Sequence, residues 1–174
     1  MAEYELVVNY DKCTGCRICE TSCSMHLGRG ANPQKSMIRI VKLEGEADVT
    51  SIPVKCVQCE KPPCEAICPT GAIYTNPTTG ARVIDKEKCI GCSACVYVCP
   101  FGAAVLDRSL GAAVICDLCD GDPVCVRMCP FEALQYIRSD DVSIRLKRAR
   151  ADKLLEFLKL SPALSELSSD KEVI

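Results

Sequence analysis

Residues 4–9 (YELVVN) set β-favouring apolar residues among polar ones, which predicts a short strand. Residues 37–43 (MIRIVKL) and 49–55 (VTSIPVK) flank the turn EGEAD and predict a hairpin. Residues 72–75 and 82–84 flank NPTTG and predict a second, and 103–107 and 112–115 flank RSLG and predict a third. ALQYIR, residues 133–138, reads as a last strand. From about Asp141 to Leu160 the period changes to that of a helix, with Asp140 and Asp141 at its start and Pro162 past its end. Leu146, Ala151, Leu154, Leu155 and Leu158 give this segment an apolar side, and Arg145, Lys147, Arg148 and Arg150 a basic one. Such a helix either packs on its own lobe or acts as an arm that docks on a partner, and the docking arm is the reading carried forward.

These elements have little to pack with. Hydrophobic residues make up 48% of the 174, but 16 of them are cysteine, aromatics are 5% and there is no Trp. All the cysteines fall into four groups: Cys13, Cys16, Cys19, Cys23; Cys56, Cys59, Cys64, Cys68; Cys89, Cys92, Cys95, Cys99; and Cys116, Cys119, Cys125, Cys129. Groups one and three read C-x2-C-x2-C-x3-C, and group three ends in Cys-Pro, which is the ligand run of a two-cluster bacterial ferredoxin. Groups two and four widen the middle spacing to x4 and x5. A disulfide scaffold fits poorly, because such regular close spacing does not suit disulfide geometry. Zinc fits poorly too, since structural zinc sites use C-x2-C pairs separated by a loop. Four sets of four thiolates imply four 4Fe–4S clusters. The clusters then serve as core, so the metal-free chain is expected to fold poorly.

The order of group types repeats, as after duplication of a half-molecule. A helical turn or two is expected between the second and fourth cysteines of each group. Two ferredoxin-like lobes, each with one narrow and one wide group, satisfy the pattern. Two nested with three leaves one with four and pairs the first strand with ALQYIR; three with four is also sterically open.

Other residues refine the chemistry. Gly15 and Gly91 stand between ligands, where positive φ or close backbone approach is useful. Pro69, Pro100 and Pro130 follow the last ligand of three groups and redirect the chain, whereas Cys23 is followed by Ser24. Lys12, Arg17, Lys88 and Arg127 lie beside ligands, where a cation raises a cluster's potential, although solvated loop charge is the plainer reading. His26, the single histidine, is expected at the surface or in packing. No catalytic nucleophile constellation and no Gly-rich nucleotide loop is visible, so a non-catalytic electron-transfer protein is expected. The formal charge of −2 becomes more negative on cluster loading, which argues against nucleic acid. No run of eighteen apolar residues suggests a membrane span. MAEYELVVNYDK has no signal-peptide character, so a cytoplasmic location is expected.

At CVQCEKPPCEAICPTGAIY and CDLCDGDPVCVRMCP the chain resembles the four-cluster iron–sulfur subunits of the molybdenum and tungsten pterin enzymes of the dimethyl-sulfoxide-reductase type, over roughly residues 5–137. In its compactness it is most similar to the small electron-transfer subunits of tungsten aldehyde oxidoreductase and tungsten benzoyl-CoA reductase. The resemblance implies an α+β fold of two pseudo-symmetric ferredoxin-like lobes, short hairpins and short helices around 4Fe–4S cluster pairs, with a C-terminal helical arm. It selects the nested arrangement: residues 1–35 and 103–138 as the outer lobe, 36–102 as the inner lobe and 139–174 as the arm. It also implies crossed ligation: Cys13, Cys16 and Cys19 with Cys129; Cys116, Cys119 and Cys125 with Cys23; Cys89, Cys92 and Cys95 with Cys68; and Cys56, Cys59 and Cys64 with Cys99. The implied role is a relay between a tungsten or molybdenum pterin catalytic subunit and a flavin or ferredoxin electron partner. A free soluble polyferredoxin is the rival reading.

Overall fold

The computed structural model describes residues 4–44, 49–142 and 144. The chain divides into two units, Met1–Ile137 and Arg138–Ile174. In the first, eight strands form four two-stranded sheets. β2 (Arg39–Glu44) pairs antiparallel with β3 (Val49–Val54), β4 (Ile73–Thr75) with β5 (Arg82–Ile84), and β6 (Val105–Asp107) with β7 (Ala112–Val114). These are the three hairpins expected from the alternation and turn residues; most of the EGEAD turn lies outside the described residues. β1 (Tyr4–Val8) pairs with β8 (Leu134–Arg138), the ALQYIR strand, so the two ends of this unit close on each other. Tyr4 and Tyr136 stack across that pair, with ring centroids 5.4 Å apart.

Each cysteine group carries one short helix: α1 (Ile18–His26), α2 (Pro63–Ala66), α3 (Ala94–Val98) and α4 (Val124–Arg127). Helices α2, α3 and α4 stop just before a Cys-Pro pair, because proline cannot continue the helical bonding. Group one has Ser24 in that place, and α1 runs on to His26. The inner side of this longer helix carries two polar residues beside Cys19 and Cys23: Glu20 and Ser24, one turn apart, are both fully buried. Glu20 accepts a 2.7 Å hydrogen bond from the Ile40 backbone N–H and ties α1 to β2.

Two apolar cores result, and thiols enter both. One gathers Leu6, Ile38, Ile40, Leu118 and Leu134 with Cys19, Cys23 and Cys125. The other gathers Ile73, Ala104, Ala113 and Ile115 with Cys95. The β6–β7 hairpin feeds both, since Ala113 and Ile115 enter the second and Val114 the first. An ion pair of 3.1 Å between Arg29 and Asp107, both nearly buried, ties the segment after α1 to β6. In the second unit, residues 139–142 and 144 are helical, and Arg138 pairs with Asp140 at 3.4 Å. The remainder of the expected 141–160 helix lies outside the described residues. No helix among the described residues is long and apolar enough to cross a membrane.

Candidate metal centres

Four cavities open among the short elements, and each is walled by four cysteines drawn from two groups. Site A, about 330 Å³, is lined by Cys13, Cys16, Cys19 and Cys129. Site B, about 400 Å³, is lined by Cys23, Cys116, Cys119 and Cys125. Site C, about 320 Å³, is lined by Cys56, Cys59, Cys64 and Cys99. Site D, about 330 Å³, is lined by Cys68, Cys89, Cys92 and Cys95. Every set takes three thiols from one group and one from the far end of another. All sixteen cysteines are free thiols. Among the described residues no three Cys, His, Asp or Glu side chains converge as a single metal ion requires. The thiols stand around a space instead, which suits a multi-atom cluster and not mononuclear zinc.

Local backbone geometry explains how the thiols turn inward. In the first C-x2-C pair of each group the third residue has positive φ: Gly15 at 72°, Gln58 at 53°, Gly91 at 67° and Leu118 at 59°. Gly15 and Gly91 also sit where a Cβ would collide. At Gly15 it would meet the Ser51 side chain, and at Gly91 it would lie 2.5 Å from the Gly111 carbonyl oxygen. Several sulfurs accept backbone N–H bonds, among them Cys23 from Met37 at 3.4 Å, Cys99 from Ala103 at 3.3 Å, and Cys89 from Ala113 at 3.4 Å. Such donors favour the reduced form of an iron–sulfur centre.

The sites follow one another in a single file. The Cys19 thiol of A is an electrostatic neighbour of Cys125 in B, Cys116 in B of Cys56 in C, and Cys64 in C of Cys95 in D. The order is A, B, C, D. Burial pushes Cys19 and Cys125 up to about 12, and Cys116 higher still, with the neighbouring thiols adding to the effect. Burial likewise raises Cys56, Cys64, Cys95 and Cys119. Cys68 runs the other way. Desolvation opposes it, but the Thr70 hydroxyl and the backbone N–H groups of Thr70, Ala72 and Ile73 hold its thiol below the ordinary value. Buried thiols this reluctant to ionise need a cationic centre to draw off their protons, so ligation and folding are coupled.

Charged residues divide by site. Lys12 and Arg17 line A, and Lys12 pairs with Glu132 at 3.7 Å. Lys88 pairs with Asp85 at 3.4 Å and Arg127 with Asp122 at 2.9 Å, with both cations exposed. His26 is exposed at the end of α1. Sequence reasoning missed four residues that the structure brings in. Glu20 anchors α1. Lys55 is buried, lines B and donates to the Cys56 carbonyl at 3.1 Å. Arg82 lines C, donates to the Cys59 carbonyl at 2.8 Å and pairs with Glu65 at 3.3 Å. Gln58 bridges C to B, donating to the Cys116 carbonyl at 2.7 Å and accepting from the Arg82 N–H at 2.7 Å.

A 4Fe-4S dicluster domain matches residues 47–139, and a second 4Fe-4S dicluster domain matches residues 12–73. The chain is 43% identical over 118 residues to the polyferredoxin-like subunit of an aliphatic sulfonate oxidoreductase from Pyrococcus furiosus, covering 68% of this chain and 66% of that one. It is 34% identical to one subunit of the sulfite dehydrogenase of Allochromatium vinosum, covering 68% of this chain and 57% of that one. It is 32% identical to the thiosulfate reductase electron transfer subunit of Salmonella typhi, covering 82% and 80%. The chain thus spans about two thirds or less of the length of the first two relatives.

Proposed function

The chain belongs to the 4Fe-4S dicluster domain family and carries four 4Fe–4S clusters, and from that premise we propose that it is a non-catalytic electron-transfer subunit of an oxidoreductase complex. When bound, 4Fe–4S clusters supply reversible one-electron centres. The chain's own part is to hold them in file and to set how readily each takes charge. The observation that carries this reading is the unbroken order of four four-thiol cavities, with an exposed cysteine at either end, Cys16 in A and Cys92 in D. The ligand sets of the four clusters are the four cavity sets. The pairs A with B and C with D correspond to an outer and an inner ferredoxin-like lobe, and residues 139–174 form the docking arm. The electron transfer subunit of thiosulfate reductase, matched over most of both chains, supports the relay role. The resemblance at CVQCEKPPCEAICPTGAIY supports a tungsten or molybdenum pterin catalytic subunit as partner at one end and a flavin or ferredoxin protein at the other. A cytoplasmic location goes with this reading.

The test is anaerobic purification with whatever partner stays bound, followed by metal analysis and reduction. About sixteen iron and sixteen acid-labile sulfide per chain are expected, as four-thiolate 4Fe–4S ligation requires. Cys129→Ser should alter the cluster of A, held otherwise by group one, and spare C and D. A wild-type protein with half that iron, clusters that reduce but pass no electron to an acceptor, or loss at D in Cys129→Ser would overturn the reading. A protein that never retains a large partner would be a free polyferredoxin.

A further inference from the structure

Two cations are buried among the described residues, Lys55 and Arg82. They line the two central sites, B and C respectively. Arg82 is matched by Glu65 at 3.3 Å. Lys55 is not matched in this way: among the described residues no carboxylate stands within ion-pair distance of it. Only 9% of the residue is exposed, and its ammonium donates to the Cys56 carbonyl at 3.1 Å. That bond uses one of three donors. Burial works against the ammonium, and ionised thiols at Cys116, Cys56 and Cys125, ahead of the exposed Glu5, work in its favour.

A buried ammonium without a counter-charge is strongly unfavourable, so it keeps its proton only where an anion meets it. The thiolates of B and C are the groups in place to meet it. We propose that Lys55 is the built-in counter-cation of the central pair of clusters, and that it raises the potential of the B cluster most and that of the C cluster less, while leaving A and D where their own surroundings put them. The proposal rests on the four-cluster reading above. An oxidised 4Fe–4S cluster with four thiolates carries about two negative charges and gains one more on reduction. A fixed neighbouring cation therefore favours the reduced form, and low-dielectric surroundings keep that preference from being screened. Among the described residues neither end of the file has an equivalent. Lys12 at A is half exposed and paired with Glu132, and no Lys or Arg lines D.

The test is potentiometric titration followed by electron paramagnetic resonance on the anaerobic full chain, comparing wild type with Lys55→Met and Lys55→Arg at equal iron content. In Lys55→Met the redox step that Cys125→Ser also alters should move to lower potential, a second step should move less, and two should stay. The pattern should be the same at low and high salt, and Lys55→Arg should match wild type. Four unmoved steps, or four that move together, overturn the proposal. Should Lys55→Met fail to hold its iron, Lys55→Gln keeps a donor for the Cys56 carbonyl without the charge, and wild-type potentials in that variant overturn it equally. Failure of the underlying four-cluster reading would show separately, in the iron content and the number of redox steps of the wild type.

Discussion

Sites A and D, at the ends of the file, are built on the narrow C-x2-C-x2-C loops, and sites B and C, in the middle, on the wide ones. In A and D the left-handed turn before the second cysteine is made by glycine, the second thiol is exposed, and any lining cation faces water. In B and C the same turn is made by Leu118 and Gln58, no thiol is exposed, and a cation is buried beside them. A narrow loop has no spare residues to wrap its cluster, so the turn needs the smallest residue and one edge stays open. A wide loop has residues to spare. They begin a helix at Pro63 or just after Pro123, and they leave room for a side chain at the turn to be used. The difference in spacing thus separates contact ends from an insulated middle.

The largest expected effect comes from putting a methyl group where the narrow loops have none. In Gly91→Ala the new Cβ would face the Gly111 carbonyl oxygen, which belongs to the β6–β7 turn and cannot rotate away. Left-handed strain and overpacking together should cost about 3 kcal/mol or more. Iron at D should fall and the melting midpoint with it. Gly15→Ala meets the Ser51 side chain, which can change rotamer, so a loss of about 1–2 kcal/mol is expected. Equal melting midpoints for the two variants would remove the distinction between a backbone and a side-chain neighbour.

How much of this is legible in the sequence follows from the same contrast. Ligands, hairpins and the breaks at Pro69, Pro100 and Pro130 announce themselves by spacing and by turn chemistry, and the two glycines by their place between ligands. Gln58 and Leu118 carry no such mark, because an ordinary side chain adopts positive φ only when tertiary contacts hold it there. Lys55 and Arg82 read as solvated charges. A signal for Lys55 does exist in the period of two, since Ser51, Pro53 and Lys55 form the buried row of β3 and its extension. It is hidden because that row is polar, and hydrophobic alternation is the usual guide to a buried face. Glu20 is hidden in the same way, sharing the inner side of α1 with Ser24 and lying next to Cys19. Polar groups buried toward metal sites look like surface until their partners are known.

A middle-sized effect tests the wide-loop turn. Gln58 carries about 1 kcal/mol or more of left-handed strain, and its two 2.7 Å bonds join the Cys116 carbonyl to the Arg82 N–H. Gln58→Ala keeps the strain and loses both bonds, so a loss of about 1–3 kcal/mol is expected. Gln58→Gly loses the same bonds but relieves the strain, and it should melt above Gln58→Ala. If the alanine variant were the more stable of the two, the turn would not be strained. If neither differed from wild type, the bridge between B and C would contribute nothing.

The smallest expected effect sharpens the comparison most, because it concerns a residue that resembles Lys55 in sequence. Lys12 also stands immediately before the first cysteine of its group, and it lines A. Its side chain is 46% exposed, and its partner Glu132 is 78% exposed at 3.7 Å. A pair of this kind is worth about 0–1 kcal/mol at most, because water and salt screen it. Lys12→Ala should therefore leave the melting midpoint and iron content within error. Any change in the potential of the A cluster should be small at low salt and vanish near physiological ionic strength, where the screening length is about 8 Å. The Lys55 shift should survive the same change of salt. Two lysines at one sequence position relative to their ligands would then differ in effect through burial alone. A Lys12→Ala shift that persisted in high salt would mean that the end sites are as insulated as the middle ones, and the division of the file into contact ends and a screened centre would fail.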